Sequence, residues 1–193
     1  MIKTQAVKKI LFLGYNEKET VLINFLKNNG CKVTHSSDIE FDFHDFDLII
    51  SFGFRYIIKT DIIEKAPPII NLHISLLPFN RGAHPNFWAH FDKTPSGVTI
   101  HLIDQGIDTG DYLFQEELFF DIQSMTFRQS HKVLISSIEN LFIKNYESII
   151  NLNLKPHKYA EDGTHHLSKD LPNDFSGWDS NIHSEIIRLK SKA

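Results

Sequence analysis

A chain of 193 residues, 41% hydrophobic and 23% charged, is long enough to bury a substantial core and too apolar to remain disordered. Its formal net charge of −4 lacks the basic excess expected of a general nucleic-acid binder. No stretch approaches the roughly 18 apolar residues of a membrane span, and Met1-Ile2-Lys3-Thr4-Gln5 shows no apolar leader, so a soluble cytoplasmic protein is expected. The lone Cys31 has no disulfide partner and reads as a small filler at a strand start.

Ile10-Leu11-Phe12-Leu13 ends at Gly14 and has the unbroken apolar character of a strand covered on both faces. Asn16 followed by Glu19 predicts a helix N-terminus, Val21, Leu22, Phe25 and Leu26 form its apolar stripe, and Gly30 stops it. Lys32-Val33-Thr34 and Asp47 to Ser51 read as the next two strands, which makes a βαβ unit and a mainly parallel sheet. Ile57 to Glu64 predicts a short helix ahead of Pro67-Pro68, Ile69 to His73 a buried strand, and His84 to Phe91 another helix. Val98 to Ile103 is a strand with which Tyr112 to Glu116 pairs back across a glycine-containing loop. Thr126 and Gln129 form a capping box for a long helix whose stripe runs through Leu134, Ile138, Leu141, Phe142, Tyr146 and Ile149. Beyond Leu154 the periodicity weakens until a last short helix at Ile182 to Lys190. Residues 1–153 are therefore read as a domain of α/β class, a mostly parallel twisted sheet flanked by helices. Residues 154–193 are read as a C-terminal extension packed on the same domain.

Ligands of open α/β sheets bind beyond the carboxyl ends of the strands, which is where Asn71 and His73 fall. Asp108 follows another strand, so the three side chains can converge. An amide, an imidazole and a carboxylate are what is needed to hold an acyl carbon, stabilise an oxyanion and move a proton. Arg81, in a loop stiffened by Pro78 and Pro85, suits a phosphate or carboxylate. Each residue also has a plain reading: a strand-end histidine held by hydrogen bonds, an aspartate stabilising a turn. On these residues alone the chain is an α/β enzyme candidate of unspecified reaction.

The run Asn71-Leu72-His73-Ile74-Ser75-Leu76-Leu77-Pro78, then Arg81-Gly82-Ala83-His84-Pro85-Asn86-Phe87-Trp88, then Gly97 to Asp111, resembles the folate-dependent formyltransferase family. The resemblance is strong over Ile69 to Gln115 and implies a Rossmann-like formyltransferase fold. It implies a catalytic triad of Asn71, His73 and Asp108 that moves a formyl group from 10-formyltetrahydrofolate to a primary amine, with no metal. Asn71 and protonated His73 would donate to the developing oxyanion, while Asp108 would favour the imidazolium and assist proton transfer. His101 would lend support or touch substrate. The pterin pocket would be formed by Phe54, Arg55 and Tyr56 and by the loop from Asp104 through Gly106 to Asp108. The other histidines, including His165-His166, lack a ligand pattern with cysteines or carboxylates.

Within the family, the turn Gly14-Tyr15-Asn16-Glu17 is poor in glycine and acidic, unfavourable for the phosphate of glycinamide ribonucleotide, which stays as the alternative acceptor. The tRNA-directed branch carries a further C-terminal barrel and a basic surface, for which this chain has too little length and the wrong charge. The Leu77 to Trp88 phrase, the Thr94-Pro95-Ser96-Gly97 block and the tail from His165 through Trp178 most resemble the nucleotide-sugar N-formyltransferases. The implied acceptor is an amino sugar on dTDP (the first expectation), UDP or GDP, used for lipopolysaccharide or other surface polysaccharide, with Arg81 or Lys169 at the diphosphate and Trp88 or Trp178 on a ring. Folate and the sugar nucleotide are the expected partners, with no membrane or nucleic acid and a possible homodimer. A non-catalytic folate-binding domain is the reading from a different class.

Overall fold

The computed structural model of the chain describes residues 7–38, 40 and 42–192. Met1 to Gln5, read above as lacking a leader, lie outside them. The first strand, β1 (Lys9–Gly14), sits at the centre of the first half of the sheet, and Ile10 through Leu13 are fully buried. Alternation along the strand explains the unbroken apolar run: Ile10 and Phe12 enter the core on one face, Leu11 and Leu13 that on the other. Through α1 (Leu22–Asn28) the chain crosses to β2 (Lys32–Ser36), and β3 (Leu48–Phe52) lies on the other side of β1, both in parallel pairing.

The expected N-cap at Asn16 is corrected. Asn16 and Glu19 close a turn of their own, in which Glu19 Oε2 accepts from the Asn16 backbone and amide. The helix begins only after Val21, whose N–H is taken, with the Thr20 hydroxyl, by the buried carboxylate of Glu139. The next helix is also shorter than predicted, α2 (Thr60–Ile63) replacing Ile57 to Glu64, because Lys59 is extended (ψ 151) and holds Ile57 and Ile58 in a loop.

Then follow β4 (Ile69–His73), β5 (Arg81–Gly82), α3 (Pro85–Phe91), β6 (Gly97–Leu102) and β7 (Tyr112–Glu117). The six-stranded sheet has the order β2-β1-β3-β4-β6-β7. Strands β1 to β4 are parallel, β6 is antiparallel to β4, and β7 turns back along β6, so the sheet is mixed with one strand reversed. The long helix α4 (Phe127–Lys144) has the predicted Thr126–Gln129 capping box. It stops short of Ile149 because the Asn145 amide turns back to Leu141 O, and α5 (Tyr146–Ile150) continues separately. The tail supplies β8 (His165–His166), which pairs with β5, and α6 (Ile182–Lys190). Helices α3, α4 and α6 share an aromatic core of Phe87, Trp88, Phe127, Ile182, Ile186 and Leu189. Among the described residues no helix is long and apolar enough to cross a membrane.

Candidate active site

Strand register assembles the site. Asn71 and His73 are two apart on β4 and so face the same way, and Asn71 lies directly opposite His101 on β6. Asp108 comes from the loop between β6 and β7, in the left-handed region at φ 52, where an aspartate is better tolerated than most side chains. Its carboxylate is the hub. Oδ2 accepts from Gly82 N–H (2.9 Å) and stands 3.6 Å from His73 Nδ1, while Oδ1 accepts from Asn71 Nδ2 (3.2 Å) and lies 3.5 Å from His101 Nε2.

His101 Nδ1–H donates to Leu102 O at 2.8 Å, and its Nε2 lies 3.2 Å from Asn71 Nδ2 and 3.5 Å from Asp108 Oδ1. The His73 ring is turned so that Nε2 faces Asn80 O at 3.3 Å and Nδ1 faces Asp108. Both nitrogens look at acceptors, so the imidazolium would be fully partnered; yet burial outweighs the Asp108 charge and holds His73 below the usual histidine range. Burial alone would raise the Asp108 carboxyl, but the His73 and His101 rings and the Gly82 N–H together pull it well below the usual carboxylate range.

A cavity of about 710 Å³ opens in front of these groups, lined by Asn71, His101 and Asp108, by Phe54, Arg55, Tyr56, Ile57 and Ile58 from the β3 exit, and by Ile103 to Ile107. Its volume falls in the usual range for small-molecule sites, roughly 300–1,000 Å³. Tyr56 and Ile57 are exposed to 51% and 72%, apolar surface available to a flat ring. Asp104 lines this cavity, but its Oδ1 is occupied by Gly106 N–H and the Thr109 hydroxyl, so it shapes the loop. Gly106 is needed there: a Cβ would stand 2.0 Å from Thr109 Oγ1.

A second cavity, about 400 Å³, adjoins the first, and Arg55 and His84 line both. Its other walls include Ile74, Phe127, Arg128, His131 and Trp178. Arg55 is exposed at the junction. Trp88 is not available to a ligand ring: it is buried and stacked on His166 at 3.9 Å. Arg81 stands beside the first cavity rather than in its wall, its guanidinium 5.6 Å from the centre of the Tyr159 ring and its buried Nε without a hydrogen-bond partner. Lys169 is exposed on a 3-10 turn next to Ser168, which does line the cavity. Sequence reasoning missed Asn80, Gly82 and Thr164 as parts of the site; they act through backbone groups or from the distant tail, and only the Arg-Gly dipeptide signalled a special turn. Among the described residues no group of histidine, cysteine or carboxylate side chains is arranged to hold a metal ion.

The fold is that of a known class. The formyl transferase family model matches residues 15–132, and the chain belongs to that family. The methionyl-tRNA formyltransferase of Clostridium acetobutylicum is 36% identical over 132 residues, which are 65% of this chain and 41% of that protein. The chain thus spans less than half the length of the curated relatives it matches. Among solved structures, the formyltransferase PseJ from Anoxybacillus kamchatkensis, in complex with UDP-4,6-dideoxy-4-formamido-L-AltNAc and tetrahydrofolate, is 38% identical, with a TM-score of 0.81 over 91% of this chain and 96% of that one. A 4-N formyltransferase from Francisella tularensis shares the fold at 23% identity, with a TM-score of 0.76 over 93% of this chain and 86% of that one.

Proposed function

We propose that this chain transfers a formyl group from 10-formyltetrahydrofolate to the primary amine of a nucleotide-linked amino sugar. The observation that carries the proposal is the convergence of Asn71, His101 and Asp108, with His73 behind Asp108, at the wall of a cavity that continues, past Arg55 and His84, into a second one. The folate supplies the activated formyl carbon. Phe54, Tyr56, Ile57 and the Ile103 to Ile107 loop would hold its ring system, and the amino sugar would approach from the side of the second cavity.

When the neutral amine adds to the formyl carbon, negative charge gathers on the formyl oxygen. Asn71, which lines the cavity and gives one N–H to Asp108, donates its other N–H to that oxygen. The proton that the amine releases passes to the Asp108 carboxylate, which lines the cavity, and His73 Nδ1, 3.6 Å behind it, shares that proton. The proton then passes to the folate nitrogen as its bond to the formyl carbon breaks. His101 touches no reacting atom; it and Gly82 N–H hold Asp108 and Asn71 in place.

A UDP-linked 4-amino-dideoxy sugar is the acceptor that the likeness to PseJ supports, in preference to the dTDP sugar expected from the sequence. Arg55, at the junction of the cavities, would meet the diphosphate, and Trp178 the base. Methionyl-tRNA is the second reading, favoured by the Clostridium relatives. Glycinamide ribonucleotide is disfavoured by the turn after β1, where the carboxylates of Glu17 and Glu19 already bond Lys27 and Asn16.

The test is tetrahydrofolate release from 10-formyltetrahydrofolate with UDP-, dTDP- and GDP-linked amino sugars, glycinamide ribonucleotide, methionyl-tRNA and a no-amine control, with His73→Ala alongside. Turnover confined to one sugar nucleotide and lost in the variant supports the proposal. Turnover with methionyl-tRNA or glycinamide ribonucleotide alone replaces the acceptor. Folate binding without any turnover makes the chain a binding module.

A further inference from the structure

The loop that touches both His73 and Asp108 is itself gripped by the tail. Asn80 is fully buried with φ 57, and its carbonyl is the group 3.3 Å from His73 Nε2. Two residues on, Gly82 N–H donates to Asp108. Asparagine is among the side chains best tolerated in the left-handed region, and tethers hold its peptide plane in one orientation. For Asn80 the tethers are side-chain hydroxyls. Its N–H donates to Thr164 Oγ1 (2.7 Å), the Thr164 hydroxyl donates back to Asn80 Oδ1 (3.3 Å), and Asn80 Nδ2 donates to Thr94 Oγ1 (2.8 Å).

The next residues are held by backbone. Arg81 N–H donates to Thr164 O and Ala83 N–H to His166 O, both at 2.9 Å. The two segments approach so closely that a Cβ on Gly82 would lie 2.3 Å from His166 O, and one on Gly163 would lie 1.7 Å from Pro78 O. The tail is anchored in turn: the His166 ring lies flat on Trp88, and its Nε2 stands 2.9 Å from Asp92 Oδ2, at ion-pair distance.

From these contacts we infer that the Thr164 to His166 segment is a positioning clasp for the reaction centre, in which Thr164 aims the Asn80 carbonyl at His73 and the β5·β8 pairing holds Gly82 N–H on Asp108. Thr164 is a positioning residue; it reaches no reacting atom and acts through Asn80. The inference rests on the roles proposed above for His73 and Asp108.

Thr164→Val keeps the side-chain shape and removes the hydroxyl, Thr164→Ser restores it, and Asn80→Gly keeps the left-handed backbone while removing both side-chain tethers. Steady-state kinetics are read together with the pH titration of the His73 ring nitrogens by NMR. The ring is faced by the Asp108 carboxylate, the His101 ring (centroids 6.2 Å apart) and the Asn80 carbonyl, and only the last is disturbed. Thr164→Val and Asn80→Gly should each lower kcat about ten-fold with KM for the formyl donor within about two-fold, the effect typical of losing a residue that orients a reactive group. They should also move the His73 titration and the acidic limb of the kcat profile to lower pH. Thr164→Ser should return kcat to within about three-fold of wild type.

Wild-type kcat and an unmoved His73 titration in Thr164→Val would overturn the inference, as would Thr164→Ser impaired as severely as Thr164→Val. If Thr164→Val does not fold, Asn80→Gly decides by the same two readouts. Should the wild type turn over no acceptor, the proposed reaction fails, while the NMR titration still decides whether the clasp sets the state of His73.

Discussion

Replacing Asp108 with asparagine keeps the outline of the side chain and removes its charge. In the structure Oδ2 stands 3.6 Å from His73 Nδ1, and the carboxylate is 14% exposed. At an effective permittivity of about 20, unit charges at that separation attract by about 4–5 kcal/mol. Residual solvent screening and the dipole of the new amide reduce the loss to about 2–3 kcal/mol, a fall in kcat of roughly 30- to 150-fold. The asparagine also turns one acceptor into a donor at a site where Gly82 N–H and Asn71 Nδ2 both require acceptors. The assay is tetrahydrofolate release at saturating formyl donor and acceptor, with thermal melts to confirm folding. If folded Asp108→Asn retains kcat within about three-fold of wild type, His73 is not charged in the rate-limiting step and the proton route is wrong.

Arg55→Ala should raise KM for the sugar nucleotide roughly ten-fold and leave that for the formyl donor within about two-fold, as expected on losing a charge-assisted phosphate contact; the reverse split would place Arg55 with the pterin, as the sequence first suggested. His90, packed against Phe120 and Phe127, is pushed down to about 4 by burial. Its folded value is depressed, so the stability it contributes is complete above about pH 6.5 and is lost as pH falls towards 4, up to about 3 kcal/mol. Urea melts across that window should show the slope, and His90→Gln should flatten it; an equal slope in the variant would refute the assignment. Glu139→Ala strands the Thr20 hydroxyl and the Val21 N–H and should cost about 2–3 kcal/mol in urea denaturation, against under 1 if water replaces the carboxylate.

The sheet was legible because its signals are local. Continuous runs such as Ile10 to Leu13 and Ile69 to His73 are what strands covered on both faces require, and the Thr126–Gln129 box lies within four residues. The start of α1 was not legible because its true cap is Glu139, 119 positions from Thr20. Asn16 and Glu19 have the spacing of a cap but satisfy one another in a turn. The reversal of β6 follows from pairing and leaves no mark on a buried hexamer. At the site, the motif residues met as expected around Asp108, while the position of Arg81 beside the cavity rather than in its wall depends on loop direction, which no motif carries.

The junction of β5 with β8 also sets an order of events. Strands β1 to β4 and the β6–β7 hairpin have all been translated by residue 117, but the Asn80–Thr164 contact closes a loop of 84 residues. Long loops are closed late, and a two-residue ladder is a weak reward for closing one. On a ribosome the sheet can therefore form while the reaction centre is still unassembled. In the finished protein the same junction can open alone, without melting the sheet.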